Sequence, residues 1–156
     1  VTTPEEPRWL SAEEQQTWRA LTSLLVRLPA ALDAQLRRDA GITHFDYQVI
    51  SQLSEQPGRT LPMSALASLT DSSLQRLSQV VTRLEKRGWI TRTPDPHNGR
   101  VTRATLTEDG WEKVVATAPG HAAEAHDLVI DRLDTAQQAQ LRQIAQRITA
   151  AIDEEG

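Results

Sequence analysis

Cysteine is absent from this 156-residue chain, which excludes disulfides, thiolate metal sites and a cysteine redox switch. Lysine is nearly absent too, occurring only at Lys86 and Lys113, with every other basic position an arginine. Together with Ala-rich helices this points to a GC-rich bacterial genome. No apolar run approaches membrane-spanning length, and the acidic start VTTPEEPRW does not resemble a secretion signal, so a cytoplasmic protein without a membrane partner is expected. Internal repeats and low-complexity stretches are also missing. So are a nucleophile beside its base, a phosphate-cradling glycine loop and a carboxylate cluster, which leaves no catalytic residue or cofactor to name. The four histidines are His44, His97, His121 and His126. Without cysteine, and without a His-x3-His pair, they offer no dedicated zinc site, and no metal is expected.

What is present fits one domain over 1–156. The apolar fraction of 38% is slightly below globular averages, which is workable if long helices pair with a second subunit. Charge is unevenly placed. From Ser72 to Thr107 the chain has seven basic residues (Arg76, Arg83, Lys86, Arg87, Arg92, Arg100 and Arg103) against Glu85 and Asp95. That block is +5 in a chain of net charge −4, so the remainder sums to −9. Such a split marks one face for a polyanion while the rest keeps the protein in solution.

Hydrophobic periodicity orders the elements as α-α-(β)-α-α-β-β-α-α. The first helix begins at Ser11, which has capping-box spacing to Glu14. It carries Trp18, Leu21, Leu25, Leu28, Leu32 and Leu36 as an apolar stripe, bends at Pro29 and ends at Gly41. A second starts near Thr43, turns Phe45, Val49, Ile50 and Leu53 inward, and stops at Pro57-Gly58. Arg59 to Pro62 is a small edge strand, and Met63 to Leu69 a short helix. After a turn at Thr70-Asp71, a helix from about Ser72 to Arg87 buries Leu74, Leu77, Val81 and Leu84. Ile90 to Thr93 and Val101 to Leu106 are strands joined by PDPHNGR, where Asn98-Gly99 signals a tight turn of positive φ. Thr107 caps a helix with Trp111, Val114 and Val115 that is interrupted at Pro119-Gly120. A last helix from about Thr135 aligns Leu141, Ile144, Ile148 and Ile152. The fold class is thus mainly α with a β-hairpin wing. A winged helix-turn-helix lobe (43–106) sits beside dimerisation helices (11–39 and 107–154).

Opposite the leucine stripe, Ser72, Gln75, Arg76, Gln79, Arg83 and Lys86 recur at spacings of three and four. Gln75, Arg76 and Gln79 suit base edges, because Arg pairs two guanine acceptors and Gln pairs adenine. Ser72, Ser73, Thr82, Arg83 and Lys86 suit phosphates, which fix register without reading sequence. A basic helix face alone is usually just solvated. Here Arg92, Asn98, Arg100 and Arg103 continue the site onto the hairpin, and Arg100 at its tip can enter a minor groove. The partner this implies is double-stranded DNA. A lone chain of this size would leave part of the terminal stripes exposed, which implies a homodimer reading an inverted repeat with half-sites about 10 bp apart; the alternative is that the stripes only complete the monomer core.

From roughly Leu32 through Trp111 the chain resembles the MarR family of bacterial transcription regulators. The most specific pieces are VVTRLEKRGWITR from Val80 to Arg92 and the wing ending LTEDG at Leu106 to Gly110. The resemblance implies a homodimeric repressor with the Ser72 helix in a major groove, and Arg100 matching the wing-tip arginine. It departs at Asn98, where the family often has an acid two positions before that arginine, and at Thr70, where the turn often has Gly. The lack of cysteine excludes the family's peroxide-sensing branch. The resemblance also implies a small aromatic or anionic effector in a cleft between the dimer helices and the lobe, lined by Trp18, Arg27, His44, Tyr47 and Trp111. Taken singly, Trp18 reads as core, Tyr47 as a helix-edge residue and Trp111 as packing at the wing base. The alternative to a DNA reader is a winged-helix protein-interaction module without sequence-specific DNA binding. Such modules tend to lose the basic face.

Overall fold

The computed structural model describes residues 6–156; the first five positions of VTTPEEPRW lie outside the described residues. Its helices start where local hydrogen bonding dictates. Helix α1 (Ala12–Ala40) opens with a capping box in which the Ser11 hydroxyl accepts from the Glu14 N–H and the Glu14 carboxylate accepts from the Ser11 N–H. It runs unbroken through Pro29 and ends at Gly41, whose φ of 66° is the left-handed conformation that favours glycine. Helix α2 (His44–Ser54) repeats the device with Thr43 and Asp46. It ends at Ser54, before the expected stop at Pro57-Gly58, which instead forms a separate 3-10 turn (Pro57–Arg59).

Strand β1 (Thr60–Pro62) leads into α3 (Met63–Leu69) and α4 (Leu74–Lys86). The turn between these helices is carried by Asp71, at φ 49°, rather than by a glycine at position 70. Asp tolerates that conformation better than most residues. Thr70 is buried instead, its hydroxyl donating to the Leu66 carbonyl at 2.8 Å. Helix α4 begins two residues later than its periodicity implied. Ser73 is its cap, accepting from the Arg76 N–H at 3.2 Å, and this holds Ser72 outside the helix.

Strands β2 (Ile90–Pro94) and β3 (Thr102–Leu106) pair antiparallel, and β1 adds on the far side of β3, giving the order β1-β3-β2. The loop between β2 and β3 is not the expected positive-φ turn. Neither Asn98 nor Gly99 has positive φ. Instead the Val101 N–H donates to the Asn98 carbonyl and the Arg100 N–H to the Asn98 side chain, so Gly99 and Arg100 occupy the centre of the turn.

Helix α5 (Glu108–Leu128) is capped by Thr107 and passes through Pro119-Gly120 without interruption, contrary to expectation. Proline removes one N–H and strains one turn, and here the packing of α5 against α1 and α2 carries the helix across. After a 3-10 turn (Ile130–Arg132), α6 (Thr135–Glu155) opens with an Asp134–Gln137 capping box. Among the described residues no helix is long and apolar enough to cross a membrane.

The core is built from Leu36 and Ile42, Val49, Ile50 and Leu53 of α2, Leu66 of α3, Leu77, Val80, Val81 and Leu84 of α4, and Ile90, Ala104 and Leu106 at the wing base. Leu74, expected in the buried stripe, is exposed; Val80 is buried instead. Two further residues read as apolar, Leu69 and Val115, are also exposed. The terminal helices contribute little. Helix α6 buries no residue, and α1 buries only Gln35 and Leu36. Trp18, read singly as core, is 57% exposed, and Leu25, Ile144, Ile148 and Ile152 are exposed as well.

Candidate nucleic-acid interface

The outward face of α4 presents Gln75, Gln79 and Thr82 around a shallow depression shared with Leu74 and Ser78. These side chains stand proud of the core because Leu77, Val80, Val81 and Leu84 occupy the opposite side. Arg76 lies at the edge of this face, with its guanidinium carbon 4.1 Å from the centre of the Phe45 ring. That stack restricts the arginine's plane while leaving it exposed. Lys86 is exposed at the helix's last turn. Ser73 spends its hydroxyl on the helix cap, and the Ser72 hydroxyl sits 3.2 Å from that of Thr70.

Three of the sequence-predicted cations are held by carboxylates. Arg83 reaches across to Asp46, whose side chain is 3% exposed, and so ties α4 to the cap of α2. Arg92 places Nε 2.6 Å from Glu85 and donates to the Ser78 and Thr82 hydroxyls, which pins β2 onto α4. Arg103 pairs with Asp95 inside the wing. Among the described residues Arg76, Lys86, Arg87 and Arg100 have no carboxylate partner within 4 Å.

The wing is braced by a residue the sequence reading did not single out. Asp95 accepts from the Arg103 guanidinium and from the N–H groups of His97 and Asn98, and these bonds hold its carboxyl below the usual carboxylate range. The missing acid at position 98 is therefore replaced by one three positions earlier. The signal available was Asp ahead of Pro-His-Asn, a residue type that closes turns onto its own downstream N–H groups. With the loop fixed, Arg100 is left exposed at the tip. A groove of about 310 Å³ runs between this arginine, Val101 and Arg92 on the wing, Met63 and Ser64 of α3, and Leu74 and Ser78 of α4. Arg87, also passed over, stacks on Trp89 at 3.9 Å and donates to the Gly41 carbonyl.

The five effector candidates do not converge on one pocket within the chain. A cleft of about 780 Å³ lies between α1, α2 and α4, lined by Asp33, Arg37, His44, Arg76 and Arg83 among others; of the five, only His44 borders it. Tyr47 is buried, its ring 4.6 Å from that of His121. Trp111 packs on the core with Arg59 stacked over it at 4.1 Å. Trp18 lies in a separate groove with Leu10, Glu13 and Leu21, and Arg27 is exposed on α1. The structure also brings together two histidines far apart in sequence. The rings of His44 and His121 are 5.8 Å apart, and burial lowers the pKa of both, in His44 with help from its neighbour and against the pull of Asp33.

Comparison with known proteins agrees with this architecture. Residues 40–101 match the model of the MarR family. The chain is similar to Sco3205, a MarR family transcriptional regulator from Streptomyces coelicolor whose crystal structure is in complex with DNA. The two are 41% identical with a TM-score of 0.91, over 93% of this chain and 91% of that one. It is also similar to the HTH-type transcriptional regulator YdcH of Bacillus subtilis, 31% identical over 65% of this chain and 67% of that protein. The transcriptional repressor MprA of Escherichia coli is 28% identical over 73% of this chain, a match that spans 64% of MprA.

Proposed function

Since the chain belongs to the MarR family of transcriptional regulators, we propose that it acts as a homodimer reading a pseudo-palindromic operator in the bacterial cytoplasm. Residues 1–156 serve as a single domain. The lobe 43–106 holds the DNA, and the helices of 11–39 and 107–154 pair with a second copy. Gln75, Arg76 and Gln79 address base edges in the major groove. Thr82 and Lys86 address phosphates, and Arg100 the adjacent minor groove. Ser73, Arg83, Arg92, Asn98 and Arg103 act through the fold, as helix cap, inter-helix tie and wing brace. Ser72 lies beside the start of the reading helix, within reach of the same backbone.

The observation that carries this reading is the row of exposed polar α4 side chains Gln75, Gln79 and Thr82, with Arg100 exposed on the adjoining wing groove. The wing beside them is held rigid by Asp95 and Arg103. Repression is the mode favoured by the likeness to MprA, with the bound dimer occluding its operator. A small aromatic or anionic effector fits the cleft beside α4, because a ligand there would touch Arg76 and Arg83 directly.

Selection of bound sites from random duplexes tests the proposal. An inverted repeat with half-sites about 10 bp apart is expected, with affinity falling steeply as salt rises. Failure to enrich any duplex would favour the protein-interaction module.

A further inference from the structure

The recognition surface contains one residue of the wrong polarity for an exposed helix face. Leu74, at the first position of α4, is 53% exposed. An exposed leucine is ordinary when it stands alone on a surface. This one does not stand alone. Gln75, Ser78, Gln79 and Thr82 surround it on one side, and the wing groove with Arg100 lies on the other. Its position is the helix's amino-terminal turn, the part of a helix-turn-helix recognition helix that meets base edges. DNA seated on this surface would cover it. The major groove has one apolar feature on its base edges, the C5-methyl of thymine.

We infer that Leu74 is a specificity-determining residue that recognises a thymine C5-methyl group in each operator half-site. The inference rests on the proposed DNA reading and adds to it a base identity and the atom that is read. Set against a cytosine or purine edge, the same side chain would dry a polar group without replacing its hydrogen bond. Set against a thymine methyl, it buries apolar surface on both partners.

Replacing thymine by deoxyuridine removes that methyl and keeps every hydrogen-bonding atom of the base. In the selected operator, one thymine per half-site is expected to lose about four-fold in affinity on this exchange, the equivalent of one buried methyl group. Leu74→Ala should bind the thymine and uracil duplexes equally, whereas Leu74→Met, which stays apolar, should keep the preference. A urea-unfolding midpoint close to the parent's in both variants reports that they are folded. An operator insensitive to every thymine-to-uracil exchange overturns the inference. So does a Leu74→Ala protein as methyl-sensitive as the parent. Either result would leave the selected inverted repeat, and the DNA reading itself, standing. If no duplex is selected at all, the underlying reading fails and this inference with it.

Discussion

Leu77 and Ile148 both sit on apolar stripes of amphipathic helices, and the fold treats them in opposite ways. Leu77 is fully buried in the core of the lobe, whereas Ile148 remains 43% exposed on α6. The same contrast divides the molecule. Within one chain the winged lobe closes a complete core, while α6 and the first two-thirds of α1 bury no residue. An apolar stripe of that length left in water has no reason to persist as a monomer surface. The contrast fits the proposed dimer as a division of labour, in which the lobe would carry its own stability and a second copy would complete the terminal helices.

The largest expected effect attacks the lobe. Leu77→Ala leaves a cavity in a fully packed site and should cost about 2–5 kcal/mol in urea unfolding. A cost below 1 kcal/mol would mean the lobe is not the stable unit. Next comes the terminal stripe. Ile148→Asp should give monomers in sedimentation and weaken operator binding on the order of 100-fold, through loss of two-site attachment. A variant that stayed dimeric would move the interface elsewhere. Smaller effects separate roles within the reading face. Arg76→Ala should cost roughly 1–3 kcal/mol on the specific operator and little on random duplex, while Lys86→Ala should weaken both alike and lower the salt slope by about one. Equal, non-selective losses from both would show that the face has been wrongly divided.

The smallest effect concerns the joint between the two regions, where His44 of α2 meets His121 of α5. Burial lowers the pKa of both, so their folded values lie below the unfolded value near 6.5. As pH falls through about 6.5 the unfolded chain takes up protons first, and stability declines; above pH 7 it is flat with respect to these groups. Thermal melts at pH 7.5 and 5.5 should show the decline, and His121→Gln should reduce it. An undiminished pH dependence in that variant would assign the effect to other groups.

Much of this fold could be read locally. Ser11, Thr43 and Thr107 announce helix starts because a cap and its N3 partner lie within three residues. Gly41 announces an end for a similar reason. The block of positive charge was equally plain. Features that failed depend on distant partners. Arg83 looked free until Asp46, 37 residues away, came beside it. Pro119 looked like a break until α5 was packed on α1 and α2. Leu74 shares the spacing of the buried leucines, yet at the helix's first turn it projects past the core toward the wing. The His44–His121 pair spans two helices that no sequence window contains together.

Hydroxyl-radical footprinting of the selected operator bears most directly on the claim that the ridge of α4 and the wing lies along duplex DNA in a two-fold pair. Two symmetry-related sets of protected sugars centred about one helical turn apart are expected, with protection extending into the flanking minor grooves where Arg100 would sit. A single asymmetric tract, or none, would contradict that claim.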